Sequence, residues 1–437
     1  MREKKVYPRL AHRAYRALKS ARADTRGRFD QSYYRVWSPR FLEKSQWFSA
    51  DEIRRLQLEG FRQLVAHARK NTVHYRDLPE IRSLEDLSQI PILTKRAIRT
   101  NFAALRADGV RGFQIKTGGT VSLSTTIKDL RLDHHLDFGE QRFDRWLGSP
   151  MRRVCELWGS MDIGVRPRRK HWRLFLPVES LRRREDALLY LDRIGRFRPD
   201  LVKALPNPLR FLAHFALREK RSLDIKTVKS GAETLLPEAL AEIREAFGAE
   251  VFNYYASREL GALAQDCGQH RGLHLNAERF LVEEAGGRLI VTDLLNYAMP
   301  LIRYENQDLG ELSREACSCG RGLPLLASVS GRTVDFLLAK EGTWMSLANV
   351  GILVRRLPAF DAVEAFQYRQ TEAGRVTILL KLWPGTDRPD PGRLAGVIKE
   401  VVSPDELEVA VEIVDGLVLS PSGKQVKLLT RFSPWES

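Results

Sequence analysis

The sequence predicts an α/β chain of two unequal domains, and three observations carry that expectation. From Gln114 to Val329, helical and strand-like segments alternate, the pattern of strands joined by crossover helices. Near Gly331–Arg332 the pattern changes to a short α+β run. The length, 437 residues, suits two or three domains better than one. The expected division is 1–110 as a helical N-terminal region of the large domain, 111–330 as its α/β core, and 331–437 as a small C-terminal α+β domain beyond a hinge.

The elements follow in chain order. Ser49–Asn71 places Ile53, Leu56, Leu58, Phe61, Leu64 and Val65 near one stripe at helical spacing. Ser49 is a suitable N-cap, with Asp51 and Glu52 in the first turn. Arg153–Trp158 and Glu250–Tyr255 read as short buried strands, Leu236–Phe247 as a helix stopped by Gly248, and Arg288–Leu294 as an apolar strand. Beyond Gly331 the pattern gives a helix over Leu347–Leu357 and strands over Ala362–Arg369 and Val376–Leu382. A helix over Pro391–Val402 and a strand over Glu408–Ile413 complete it.

A composition of 43% hydrophobic and 29% charged residues excludes a disordered chain, a collagenous one and a disulfide-held miniprotein. With 71 basic against 55 acidic residues the formal charge is +16, which favours anionic ligands such as nucleotides, nucleic acid, acidic polysaccharide or an anionic membrane face. No segment approaches the roughly 18–20 apolar residues of a membrane span. Met1–Arg40 is rich in Arg and Lys but lacks the apolar core of a secretory signal, so a cytoplasmic location is expected. The apolar stripe of this arm (Val6, Leu10, Leu18) is thin, favouring a solvated or packed arm. A peripheral contact with membrane or polysaccharide machinery through it stays open.

Four segments contain residue types suited to nucleotide chemistry. Lys116–Thr126 is rich in Gly and hydroxyls, whose backbone N–H and O–H groups can approach phosphate, although an ordinary turn has the same composition. Tyr254–Glu259 joins aromatic, hydroxyl (Ser257) and carboxylate at a strand end, able to stack a base, touch phosphate and hold Mg²⁺. The alternative is an exposed Arg258–Glu259 pair. Asp308 falls in an expected turn, where it can accept from ribose hydroxyls or make an Asx turn. Lys424, after Ser422-Gly423, is either a phosphate-directed point charge or a solvated loop lysine.

Cys267, His274, Cys317 and Cys319 offer three thiolates and an imidazole, a closed tetrahedral set suited to structural zinc; His270 is an alternative fourth ligand. Reduced, unpaired cysteines are the other reading of the spacing. Cys155 reads as a core residue, and Trp158–Asp162 as packing or the lining of a pocket. His134 and His135, without partners at ligand spacing, read as surface residues.

Taken together and in this order, these motifs resemble the adenylate-forming superfamily, and within it the phenylacetate–CoA ligase-like branch that includes capsule-biosynthesis proteins. The resemblance runs from about Trp47 to Arg431. It is most specific in YYASRELGALAQDC, in GRLIVTDL through PLIRYENQDLG to CSCGRGLPLL, in SVSGRTVDF and in SPSGK. It implies a large α/β domain with a small α+β lid. Thr117, Gly118, Gly119 and Thr120 then begin the phosphate loop, Gly231, Ala232 and Glu233 form the adenine-side segment, and Tyr255 stacks adenine. Ser257 lies in the phosphate-contacting segment, Glu259 holds Mg²⁺, Asp308 binds ribose, Arg332 marks the hinge, and Lys424 is the catalytic lysine. Departures from the family pattern are Val121-Ser122 for Thr-Gly, Ala256 for Gly, Arg258 for Thr and Gln307 for Gly.

The implied activity is ATP-dependent conversion of a small carboxylic acid to an acyl-adenylate, followed by transfer to coenzyme A. The alternatives are transfer to an amine or hydroxyl in capsular or exopolysaccharide biosynthesis, and a non-catalytic zinc protein that binds nucleotide or polyanion. Zinc-bearing members of the branch have cysteines at these places, which favours a structural Zn²⁺ at the four-residue set. No nucleic-acid partner is expected.

Overall fold

The computed structural model describes residues 37–118, 123–129, 138–158, 164–167, 172–178, 181, 184–232, 234–332, 336–340, 342, 344–346, 362–382, 385–399, 407–419 and 426–432. The chain opens with helices α1 (Pro39–Ser45), α2 (Ala50–Asn71), α3 (Lys95–Thr100) and α4 (Phe102–Leu105), with a 3₁₀ turn at Leu84–Gln89. At the start of α2, Ser49 Oγ accepts from Glu52 N at 3.3 Å while the Glu52 carboxylate accepts from Ser49 N at 2.8 Å, a reciprocal capping box. The buried face of α2 is Ile53, Phe61, Leu64, Val65 and Ala68, close to the stripe the periodicity requires. Gln57 shares it because its amide donates to the carbonyls of Ala277 and Phe280, at 3.1 and 3.0 Å.

A hairpin of β1 (Gly112–Gly118) and β2 (Leu123–Asp129) precedes α5 (Phe138–Trp146). Then come β3 (Arg153–Trp158), β4 (Gly164–Pro167), β5 (Trp172–Pro177), α6 (Arg184–Phe197), β6 (Leu201–Ala204), α7 (Pro206–Arg218), β7 (Thr227–Gly231), α8 (Pro237–Phe247) and β8 (Glu250–Ser257). The run continues through β9 (Gly261–Asp266), β10 (Leu273–Leu275), β11 (Phe280–Ala285), β12 (Arg288–Asp293), β13 (Tyr304–Leu312) and β14 (Leu325–Arg332). The strands from β3 to β14 form one sheet in the order β11-β12-β13-β14-β10-β9-β8-β7-β6-β3-β5-β4. Strands β8, β7, β6, β3 and β5 run parallel, as crossover helices require, while the segment from β8 to β11 is antiparallel. Cys155 is fully buried in β3, as expected. Helix α8 ends on Gly248 in the left-handed region (φ 62°), whose N–H donates to Arg244 O at 2.8 Å.

Two sequence expectations are corrected at strand ends. The strand expected to stop at Tyr255 continues to Ser257, because β9 folds back on it and pairs Ser257 with Gly261. Asp308 lies within β13 rather than in a turn, since β12 pairs with Leu309 on one side and β14 with Asp308 on the other. An Asx-like contact is nevertheless present: Asn306 Oδ1 accepts from Asp308 N at 3.1 Å, next to a register irregularity between Asp308 and Leu309.

The sheet is strongly curled. Strands β8 and β13 have β9, β10 and β14 between them, and four steps of a flat sheet span about 19 Å. Yet the Tyr255 hydroxyl of β8 is hydrogen-bonded to Asp308 of β13. The space enclosed is filled by an apolar core that includes Phe61, Leu64, Leu263, Phe280, Leu289 and Leu301. At its margin the turn between β10 and β11 is held by buried charge. Arg142 of α5 donates to Glu278 Oε1 at 2.6 Å and Oε2 at 3.0 Å, both side chains 0% exposed, and also to Asn276. Arg279 makes a bidentate pair with Asp293, at 3.0 and 2.7 Å.

A second core follows, built on β15 (Phe336–Leu338), β16 (Trp344–Ser346), β17 (Val363–Glu372), β18 (Arg375–Leu382), α9 (Pro391–Lys399), β19 (Glu408–Ile413) and β20 (Leu428–Thr430). Its four-stranded sheet has the order β19-β18-β17-β20, and Leu337, Tyr368, Ile378, Leu380, Leu394 and Ile398 pack together there. The expected helix over Leu347–Leu357 and the basic arm before Trp37 lie outside the described residues. Among the described residues no helix is long and apolar enough to cross a membrane.

Breaking a buried pair leaves an uncompensated charge. Arg142→Leu should therefore cost about 3–5 kcal/mol of stability in urea unfolding, and adding Glu278→Leu should recover part of it.

Candidate functional site: a nucleotide-side cradle and a Cys₃His cluster

The residues singled out on β8 and β13 meet. Tyr255 Oη donates to Asp308 Oδ2 at 2.7 Å, and Asn306 Nδ2 donates to Tyr255 Oη at 2.5 Å and to Asp308 Oδ2 at 3.0 Å. The phenol is tied at its hydroxyl to two groups, which fixes the far end of the ring. Glu259, in the turn after β8, is 5% exposed and accepts from Tyr304 Oη of β13 at 3.3 Å, whereas Arg258 points to solvent. The exposed Arg–Glu pair offered by the sequence is therefore not what forms. Ser257 Oγ accepts from Leu260 N at 3.1 Å and so closes the β8–β9 turn.

On the neighbouring strand, Gly231 ends β7 at a point of close approach: a Cβ there would lie 2.5 Å from the Tyr254 carbonyl oxygen. Ala232 follows in the left-handed region, φ 68°, a conformation that costs energy for a non-glycine residue and clusters at functional sites. Behind these strand ends lies a four-charge cluster that the motif search missed. Lys203 of β6 and Lys229 of β7 are register partners on adjacent strands, and α5 sets Glu140 and Asp144, four residues apart, against them. Lys203 Nζ lies 3.2 Å from Glu140 and 3.0 Å from Asp144, and Lys229 Nζ lies 2.8 Å from Asp144. Burial alone would raise the Asp144 pKa, but the two ammonium groups hold it at about 2.

The cysteine set also converges. Ligand atoms of Cys267, His274, Cys317 and Cys319 all lie within 4.8 Å of one another; Cys267 Sγ is 3.8 Å from Cys317 Sγ, and Cys319 Sγ is 3.3 Å from His274 Nε2. None of these cysteines is in a disulfide. Cys267 follows β9, His274 lies on β10, and the other two are on the loop between β13 and β14. Burial pushes the Cys267 thiol to about 12 and the His274 imidazole down to about 4, with Arg321 adding to the latter. Burial would raise Cys319 too, but hydrogen bonds from Arg321 and the neighbouring thiols bring it below its ordinary value. His270, the alternative ligand, is not part of this set: its Nδ1 lies 2.8 Å from Asp266 and its Nε2 3.6 Å from Glu250. Trp146 of α5 stacks edge-on against His274 at 5.5 Å, with the Arg321 guanidinium 4.4 Å from the indole centroid.

Thr117 and Gly118 end β1 and pair with Ser124 and Leu123, whereas Gly119, Thr120, Val121 and Ser122 lie outside the described residues. So do Glu233, Lys424, Gly159–Asp162 and His134–His135. Arg332 is the last residue of β14, its backbone opposite Asp308. Asn306 and Tyr304 lie within the segment PLIRYENQDLG, yet no spacing rule signals that an amide would bridge Tyr255 and Asp308.

Set beside known proteins, this arrangement has clear counterparts. No family model matches the chain. It is 26% identical over 378 residues to a phenylacetate–coenzyme A ligase of Thermus thermophilus, covering 72% of this chain and 81% of that one. It is 23% identical over 341 residues to the phenylacetate–coenzyme A ligase of Aromatoleum evansii, covering 69% and 76%. Among solved structures, 2-hydroxyisobutyryl-CoA ligase in the postadenylation state, in complex with R3-HIB-AMP, superposes with a TM-score of 0.67. The identity is 16%, and 88% of this chain and 90% of that one are covered. An open conformation of that ligase, in complex with 2-HIB-AMP and CoA, gives 0.55 at 15% identity, covering 87% and 92%.

The fold is that of the adenylate-forming enzymes, as the motifs imply. Within that fold, the curated homologues are phenylacetate–coenzyme A ligases.

Proposed function

We propose that the chain activates a carboxylic acid with ATP and passes the acyl group to coenzyme A. The observation that carries this reading is the Tyr255–Asn306–Asp308 network, with Glu259 bonded to Tyr304 of the same strand as Asp308, built on strands that have three others between them in the sheet. The phenylacetate–coenzyme A ligases among its relatives support it. In this reading the Tyr255 ring stacks the base and the Asp308 carboxylate accepts from ribose hydroxyls. Thr117, Gly118, Gly119, Thr120 and Ser257 face phosphate, and Gly231, Ala232 and Glu233 border the adenine.

The acid's carboxylate oxygen attacks the α-phosphorus of ATP and pyrophosphate leaves. The coenzyme A thiol then attacks the acyl carbon and AMP leaves. Both steps gather negative charge where water is excluded, and fixed cationic or hydrogen-bonding groups are most effective there. Glu259 suits Mg²⁺: it is a buried carboxylate whose hydrogen bond from Tyr304 is long, at 3.3 Å, and the ion when bound would neutralise phosphate charge. Lys424, on the segment after residue 331, supplies the ammonium that acts on the transition state, and Arg332 lies at the hinge about which that segment moves.

Cys267, His274, Cys317 and Cys319 suit Zn²⁺. Three sulfurs and one imidazole nitrogen already converge, all four positions are filled by protein, and a closed set of this kind is structural rather than catalytic.

ATP–pyrophosphate exchange with a panel of aryl and hydroxy acids, beginning with phenylacetate, should detect adenylation, and coenzyme A should accelerate AMP release. No exchange with any acid would overturn the reading. Lys424→Ala should lower adenylation by roughly two orders of magnitude with ATP affinity nearly unchanged. Cobalt(II) added to metal-free protein should give thiolate-to-metal absorption that Cys317→Ser weakens strongly. A titration without such absorption would leave the cluster as four packed side chains.

A further inference from the structure

Lys229 occupies the point where the two strands bordering the nucleotide side meet the helix that covers them. Its ammonium donates to Asp144 Oδ1 at 2.8 Å, lies 3.6 Å from Glu140, and stands 3.9 Å from the centroid of the Tyr254 ring. Its side chain is only 3% exposed. The residues that follow it are Ser230, Gly231 and Ala232, the strand end and left-handed turn; the residue after Tyr254 is Tyr255. One ammonium therefore grips both strand ends, β7 through its own backbone and β8 through the face of an aromatic ring.

A lysine is a costly choice for this position, because burying an ammonium requires compensating anions that an apolar side chain would not need. Glu140 and Asp144 provide them, and Lys203 balances the remaining charge. What an apolar residue cannot supply is a directional attraction to the ring face together with a tether to α5. Phe143 of α5 packs against the same ring at 6.5 Å, so Tyr254 is held on one side by charge and on another by an aromatic edge.

We infer that Lys229 is a positioning residue. By gripping Tyr254, the register partner of Gly231, it holds the backbone from which Tyr255 projects in place beside the β7 strand end, and so governs affinity for the adenine nucleotide without touching it. The inference rests on the adenylation reading above, and its test separates the two.

MgATP is titrated calorimetrically into the full chain and into variants, alongside thermal melts and steady-state kinetics. Tyr254→Phe, which keeps the ring face, should bind within about twofold of the parent. Tyr254→Leu, which removes the ring and leaves the ion pairs intact, should weaken ATP binding about tenfold and raise the KM for ATP alike, with kcat and the KM for the acid little changed. Lys229→Met should act in the same direction, and Lys229→Arg should restore most of the affinity. If Tyr254→Leu melts at a lower temperature but binds ATP like the parent, the pair is merely structural and the inference fails. If Tyr254→Phe is as weak as Tyr254→Leu, the hydroxyl rather than the ring face matters, and it fails as well. A parent protein that binds no ATP overturns the adenylation reading, and this inference with it.

Discussion

The candidate nucleotide side of this molecule depends on the sheet curling far enough for β13 to face β8. Flat, the backbones of these strands would stand about 19 Å apart, beyond the combined reach of the two side chains; curled, Tyr255 Oη and Asp308 Oδ2 are joined by a hydrogen bond of 2.7 Å. The curl encloses an apolar core, and that burial favours closure without fixing its register. Register is better set by groups that tolerate only one neighbour. Arg142 with Glu278 and Arg279 with Asp293 are such groups, since a shift of one residue would leave four charges buried and unpaired.

Helix α5 joins features that are distant in sequence. Within little more than one turn, Arg142 ties it to the β10–β11 turn, Asp144 to the lysines of β6 and β7, and Trp146 to the imidazole of the cysteine cluster. Arg142 and Trp146, four residues apart, share one face and touch, with the guanidinium 5.7 Å from the indole, while Asp144 projects between them in sequence from another face. The cysteine cluster in turn connects the segment after β9 and the strand β10 to the loop after β13. The strands that bear Tyr255 and Asp308 are thus linked once at their side chains and again through the sulfur-rich loop.

Much of this was legible in the sequence, for identifiable reasons. Capping, periodicity and a terminal glycine act locally, so α2 and α8 were located almost to the residue. Tyr255, Glu259 and Asp308 stood out because their types and order are distinctive, and the three cysteines and His274 because few residues share their chemistry. Asp308 was misplaced into a turn because the sheet pairing on both sides of it is non-local and leaves no mark on the adjacent residues. The Lys203–Lys229–Glu140–Asp144 cluster was invisible for a related reason. In a chain with 71 basic and 55 acidic residues, no single charge stands out until the fold selects which ones are buried together.

The N-terminal helical region is stitched directly into the wall of the site. Leu93 forms a parallel bridge with Tyr304, donating to Arg303 O at 2.9 Å and accepting from Glu305 N at 3.0 Å. Arg303 reaches further, to the carbonyl of Ile90, 213 residues away in sequence. Contacts of such separation form late, because the chain between them must first be ordered. During synthesis the segment around Leu93 therefore emerges long before its partner strand exists and has to wait with its edge uncovered. The strand that bears Asp308 pairs with β12 and β14, its neighbours in sequence, and only the bridge to Leu93 must reach back across the whole parallel sheet. The order of assembly, and with it the interval in which a nascent chain is open to chaperones or to aggregation, is written into that one short bridge.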